Sequence, residues 1–318
     1  MHHGDGSTKT TPGQSGTPLG PLIAVVVANI ALAFGPWFVR MADTGPVAAA
    51  FWRIALAVPV LLVVAAVMAR GKPAFAGVRG LWGVLVIAGI AFAADLGSWH
   101  FGIVRTTLAN ATLFGNSATF IYPIYGFLIA RAWPSRSQGV ALLLAAIGAG
   151  LLMGRSAELS PQNLVGDLFS LLAGILYAVY FIFMARARAV MAPLPALALS
   201  SLMTVLPLLA VALLLGEAIV PTDWTPLILL AVVSQLLGQG LMIYALGHLS
   251  PIVVGLALLL QPVVAATIGW IAYGERLAAA DAAGALLVAV ALVLVRLGGR
   301  TPVQLAPVGS QTKSSPRR

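Results

Sequence analysis

From about residue 19 to 298 the chain consists of long, continuously apolar runs separated by short polar connections. A helix needs about 20 such residues to cross roughly 30 Å of hydrocarbon. Unbroken apolarity, as opposed to short alternating segments, favours helices over a barrel. The pattern predicts ten spans, at about 19–40, 46–69, 79–100, 106–130, 136–154, 163–185, 193–216, 225–246, 250–273 and 281–298. The expected fold is therefore all-α, a polytopic membrane protein of ten transmembrane helices. Residues 1–18 are rich in Gly, Ser, Thr and Pro and read as a disordered leader, and residues 299–318 read as a disordered basic tail. No cleavage pattern precedes the first run, which is itself long enough to span.

The chain also resembles itself at an offset of 145 residues. Gly102-Ile103-Val104-Arg105-Thr106-Thr107-Leu108 falls on Gly247-His248-Leu249-Ser250-Pro251-Ile252-Val253 in its helix-break-helix character. In the same register Asn116 falls on Gln261, Arg131 on Arg276 and Gly139 on Gly284. This divides the chain into five-span units at 19–154 and 163–298. Five is odd, so the second unit enters the membrane from the opposite side. Such inverted repeats are a common way to build a carrier with two facing states.

Composition agrees with a lipid-facing shell. Of the 318 residues 60% are hydrophobic and 8% charged, with mean hydropathy +1.00, against about 25% charged in ordinary soluble domains. A net charge of +9 would suggest nucleic acid in a soluble protein. Here the basic residues sit in tails and short loops, where they orient the chain. With the N-terminus inside, Lys9, Arg70, Lys72, Arg79, Arg131, Arg136, Arg186, Arg188, Arg296, Arg300, Lys313, Arg317 and Arg318 are cytoplasmic. Arg40, Arg105, Arg155 and Arg276 lie outside, and Arg53 lies within a span. Both termini are thus expected in the cytoplasm. The absence of Cys excludes disulfides, thiolate metal sites and thiol nucleophiles. His2 and His3 are too few for a metal tract, and no metal or cofactor is expected.

Arg53, a third of the way into span two, and Asp95, toward the outer end of span three, reach similar depth. A charge in hydrocarbon must be paired, hydrated or snorkelling. Arg53 could hold a substrate carboxylate and Asp95 an amine or a proton; a packing or gating salt bridge is the competing reading. Trp99 follows Asp95 by one turn and His100 by five residues, and an Asp with a His nearby is what a proton relay requires. His100 also suits an ordinary membrane-edge position. Asn116 and Gln261 are candidate ligands for a zwitterion because the repeat pairs them. Asn29, Asn110, Gln235 and Gln239 read as amide bonds between helices. Trp37 and Trp99 could line a cavity mouth, and Tyr180, with Tyr177, Tyr122 and Tyr125, lies nearer helix interiors. Pro123 predicts a local kink, while Trp133, Trp224 and Tyr273 suit the interfacial belt.

Phe34-Gly35-Pro36-Trp37-Phe38, Gly45-Pro46, Phe51-Trp52-Arg53 and Ala111-Thr112-Leu113 resemble the first half of the EamA-type drug/metabolite transporters. Gln261-Pro262 and Gly274-Glu275-Arg276 resemble that family's repeat-end signature. The first half departs from it, with Ala130-Arg131 in place of Gly-Glu-Arg and Ser117 opposite Pro262, which favours a structural role for Glu275. The resemblance covers about residues 21–296. It implies a carrier of the bacterial inner membrane, built from two inverted five-helix repeats. In that architecture helices 1–4 and 6–9 surround a central cavity, while helices 5 and 10 lie at the periphery, where they could support a homodimer. It further implies export of amino acids, related metabolites or cationic drugs, with the aromatic amino acid exporters of the YddG type as a guide to general shape.

No Walker A sequence or soluble nucleotide domain is apparent, so the expectation is a secondary transporter and not an enzyme. Its expected partners are a small-molecule substrate and the lipid bilayer. Proton antiport through Asp95 or His100 and facilitated diffusion are both compatible with the sequence. Efflux of drugs or aromatic cations is the alternative cargo, and a non-transporting scaffold or sensor the alternative class.

Overall fold

The computed structural model describes residues 19–70, 75, 78–106, 108–131, 133–154 and 161–273, with isolated positions 279, 283, 286–287, 290–291 and 294. Gly274-Glu275-Arg276, both tails and most of the expected tenth span lie outside the described residues. The described chain is helical: α1 (Leu19–Ala33), α2 (Gly35–Met41), α3 (Pro46–Met68), a 3-10 turn (Val78–Gly80), α4 (Trp82–Ile103), α5 (Leu108–Gly115), α6 (Ala118–Ala130) and α7 (Arg136–Gly154). There follow α8 (Pro161–Arg188), α9 (Pro193–Leu214), α10 (Thr225–Leu229), a π-helical segment (Leu230–Gln239), α11 (Gly240–Leu246), α12 (Pro251–Leu258) and α13 (Leu260–Tyr273).

Among the described residues, seven helical stretches are long and apolar enough to cross a membrane. They are Leu19–Met41, Pro46–Met68, Trp82–Ile103, Leu164–Arg188, Pro193–Leu214, Thr225–Leu246 and Pro251–Ala272. These coincide with expected spans one, two, three, six, seven, eight and nine. Their outer faces carry bare apolar side chains such as Val67, Leu206 and Leu214, as a lipid-facing surface requires and an aqueous one penalises.

Proline sets several helix starts. Gly45, Ala192 and Ser250 are extended (ψ 154°, 157° and 154°) and each is followed by Pro at the first helical position. A missing N–H costs nothing there, and the fixed φ suits the first turn. Helix ends use the left-handed region: Arg70 and Arg131 at φ 47° and Gly216 at φ 67°. Arg is an unusual choice for that conformation, although its charge favours a helix C-terminus.

The expected fourth span, 106–130, is two helices, α5 and α6, separated by a turn at Asn116-Ser117. The expected ninth span is likewise interrupted, at Leu259 between α12 and α13. The interruption in span four does not lie at Pro123, through which α6 continues. The two broken segments run side by side in opposite directions, α12 against α6 and α13 against α5. Gly255 permits that approach: a Cβ there would stand 2.7 Å from Thr119 O.

Around this pair, α4 packs along α8 and α9, and α3 along α9. The α1 helix lies against the π-helical segment, α11 and α13, and α5 lies against α8. The α7 helix meets α5 and α12 at the edge of the assembly. The space left between α1, α3, α4, α5, α8, the π-helical segment and α13 holds the polar residues described next.

Candidate functional site

A cavity opens where α4 and α8 face the α5–α6 break and the start of α13. Its walls include Arg53, Asp95, Trp99, Asn116, Tyr177, Gln239 and Gln261. Its volume is about 40 Å³. This is room for a few waters, so a larger solute requires the walls to part.

Arg53 is 2% exposed. Its Nε donates to Gln235 Oε1 at 3.1 Å, and its guanidinium lies 6.0 Å from the centre of the Phe92 ring. Gln235 is held in turn, its Nε2 donating to Ser201 Oγ at 3.2 Å. A planar guanidinium fixed through Nε keeps its two terminal nitrogens aimed in one direction, a geometry suited to a planar oxyanion. Asp95 shares the cavity wall, and among the described residues no ion pair joins it to Arg53.

Two helical phases explain which neighbours of Asp95 reach the cavity. Trp99, one turn on, lies on the same face. Its Nε1 donates to Ala111 O at 3.2 Å, which fixes the indole against α5. His100 is rotated well away from that face. It is fully buried, with Nδ1 3.0 Å from Pro46 O. A carbonyl can only accept, so Nδ1 carries the proton and the unpartnered Nε2 is the bare nitrogen. His100 does not line the cavity.

Asn116 sits in the α5–α6 turn and Gln261 just past the α12–α13 break, so each amide reaches the cavity where its own span is interrupted. Gln261 Nε2 donates to Asn29 Oδ1 at 2.8 Å, while Asn29 Nδ2 donates to Val25 O at 2.6 Å. Trp37 stands apart, stacked with Phe38 at 5.7 Å between ring centres in a separate apolar cluster. Tyr180 backs the wall without lining it, stacked on Phe92 with ring centres 4.4 Å apart.

From the sequence alone Gln239 is expected as an amide between helices and Tyr177 only as a residue of a helix interior, and Phe92 carries no expectation. Tyr177 Oη donates to Gln239 Oε1 at 3.1 Å. A signal was present, since Tyr177 and Tyr180 lie one turn apart in an otherwise apolar run, but nothing in it specified the partner. Asp167 accepts the Thr106 hydroxyl at 2.6 Å outside the cavity. Among the described residues no three His, Asp or Glu gather to hold a metal.

A solved crystal structure, titled only as that of a protein, superposes with a TM-score of 0.69 over 87% of this chain and 95% of its own, at 15% identity. At that identity the likeness concerns the fold. No curated protein matches the sequence. With several apolar helices of membrane-crossing length, the chain is a multi-pass membrane protein. Residues 164–297, most of its second half, match the EamA-like transporter family, which supports a place in the drug/metabolite transporter superfamily and a role in moving small molecules across a membrane.

Proposed function

We propose that the chain is a secondary transporter that exports amino acids or related small zwitterions across the bacterial inner membrane by alternating access. One observation carries the reading: a single cavity between the helices presents a guanidinium, Arg53, and a carboxyl group, Asp95, with no ion pair between them among the described residues. A zwitterion supplies the missing partner to both, its carboxylate to the guanidinium and its ammonium to the carboxylate. Asn116 and Gln261 add neutral amides, which bind without the desolvation cost of further charges. Leu32, Phe92 and Leu96 supply apolar wall for a side chain.

Two five-helix units of opposite orientation would rock about this site. The paired interruptions in spans four and nine support that reading, since broken helices bring free backbone groups to mid-membrane. Both termini are assigned to the cytoplasm by the basic-residue count. The chain has no Cys, so single cysteines placed at Trp133 and Asp223 test this directly. Labelling of both from the same side in intact cells would refute the topology.

The transport assignment is tested by counterflow in proteoliposomes, with labelled amino acids and one aromatic cation. Exchange of some amino acids, lost in Arg53→Ala, is the expected result. Exchange of the cation alone would transfer the assignment to drug efflux.

A further inference from the structure

The π-helical segment Leu230–Gln239 turns two glutamines into the protein interior, Gln235 and Gln239, both fully buried. Widened helical turns of this kind are rare and gather at functional sites. Gln235 has a clear task in holding Arg53 Nε. Gln239 is half-used. Its Oε1 receives the Tyr177 hydroxyl at 3.1 Å, which fixes the amide with Nε2 as the remaining donor. That Nε2 is buried and has no hydrogen-bond partner among the described residues, and Gln239 lines the same cavity as Arg53. Tyr180 Oη, on the same helix as Tyr177, likewise has no hydrogen-bond partner among the described residues.

A buried donor without an acceptor is uncommon in folded proteins and calls for a specific explanation. A ligand acceptor supplies one. We infer that Gln239 Nε2, oriented by Tyr177, is the second donor of a carboxylate subsite whose first donor is Arg53, and that it makes the cavity select carboxylates over the corresponding carboxamides. This rests on the transport reading above and assigns a specificity role within it. The chemistry is directional. A carboxylate offers an acceptor oxygen to each donor, whereas a primary amide offers one oxygen and presents N–H groups to a site already lined with donors. Tyr177 matters because a Gln amide can rotate. With the hydroxyl gone, Oε1 and Nε2 can exchange places and the donor is no longer fixed.

The experiment is counterflow with the purified full chain, comparing the panel amino acid that the wild type exchanges best with that amino acid's own carboxamide. The wild type is expected to favour the acid by at least about tenfold. Gln239→Leu should lose most acid exchange and leave the slow amide exchange in place, so that the preference collapses. Tyr177→Phe, a milder change that keeps the ring stack, should narrow the preference to a few-fold without abolishing exchange. Equal loss of acid and amide in Gln239→Leu, with an unchanged preference in Tyr177→Phe, would overturn the assignment and leave Gln239 as packing alone. If the wild type exchanges no amino acid, the transport reading itself falls and the subsite with it. That outcome differs from the previous one, in which wild-type exchange is intact. A wild type that carries acid and amide equally would likewise defeat the inference while preserving transport.

Discussion

The Glu217 carboxylate receives the Ala48 N–H at 2.7 Å, so a loop of the second half of the chain caps a helix of the first. Ala48 is the third residue of α3, and the helix's own bonding begins only at Ala49, whose N–H reaches Gly45 O at 2.9 Å. The Ala48 donor would otherwise be one of the orphans of a helix start. The contact does not stand alone. Gly45 N–H donates to Ala218 O at 3.1 Å, Trp52 Nε1 to Ile219 O at 2.6 Å, and Trp52 meets Trp224 edge-on with ring centres 4.8 Å apart. The α9–α10 connection is thus strapped across the beginning of α3. Any motion that parts these two helices at this end must release the strap.

Replacing Glu217 with Ala leaves the Ala48 donor to whatever water reaches it, at a cost comparable to losing a helix cap, about 1 kcal/mol. Glu217→Gln retains an acceptor and should cost less than half of that. Thermal unfolding of the detergent-solubilised variants measures both. Equal stability of wild type and Glu217→Ala would show that the capping bond contributes nothing to the fold.

Asp43 ties the same strap from the other side. The Thr222 hydroxyl bond, then the Thr222 and Asp223 backbone N–H groups, hold its carboxyl below the ordinary carboxylate range; the backbone donors lie at 2.8 and 3.3 Å from Oδ2. A folded-state value below the unfolded one stabilises the fold above the unfolded value, near 3.9, and this advantage is lost as pH falls through the depressed value. Asp43→Asn removes the charge but keeps an acceptor. The wild type should therefore melt above Asp43→Asn at pH 6, with the gap closing as pH falls below about 4. A gap that does not change with pH would exclude the carboxylate as its source.

The fit of α8 against the α5–α6 break rests on Gly174. A Cβ there would stand 2.7 Å from Phe114 O and 2.8 Å from Gly115 O, both backbone atoms that cannot turn aside. Gly174→Ala must displace α8 or the break beside the cavity, at about 1–3 kcal/mol. Gly139 on α7 has nothing within 4 Å of its Cβ position, so Gly139→Ala should be neutral or slightly stabilising. Melting temperatures of the pair check the contrast, and similar losses in both would refute the packing account.

Particular residues show what was readable before the structure. Seven spans were legible because a membrane helix is specified by one local property, a sustained apolar run. Arg53 and Asp95 stood out because a charge in such a run is rare whatever it touches. Trp99 followed from Asp95 by helical phase. His100 is close to Asp95 in sequence, but five residues of helix turn it toward Pro46. The interruption at Asn116-Ser117 has no proline to announce it; Pro123 lies seven residues further on, inside α6. The widened turns at 230–239 left no trace in composition, so the inward aim of Gln239 and its bond from Tyr177, a contact across 62 residues, emerge only from tertiary packing.

The relation between Arg53 and Asp95 can be decided by stability alone, without knowing the substrate. Both groups are buried on the wall of one cavity, so a charge on either acts on the other through the low-dielectric space between them. Removing one leaves the other uncompensated, which is more destabilising than removing both. Arg53→Ala and Asp95→Asn should therefore each lower stability, and the double variant should be less damaged than their sum by about 1 kcal/mol or more, the range for groups that interact. A double-mutant cycle of melting temperatures in detergent, without added amino acid, provides the comparison. Strict additivity would mean that the two charges face water independently. Coupling that shrinks when a transported amino acid is added would mean that the ligand has taken over the compensation, which is how a zwitterion held between a cation and an anion behaves.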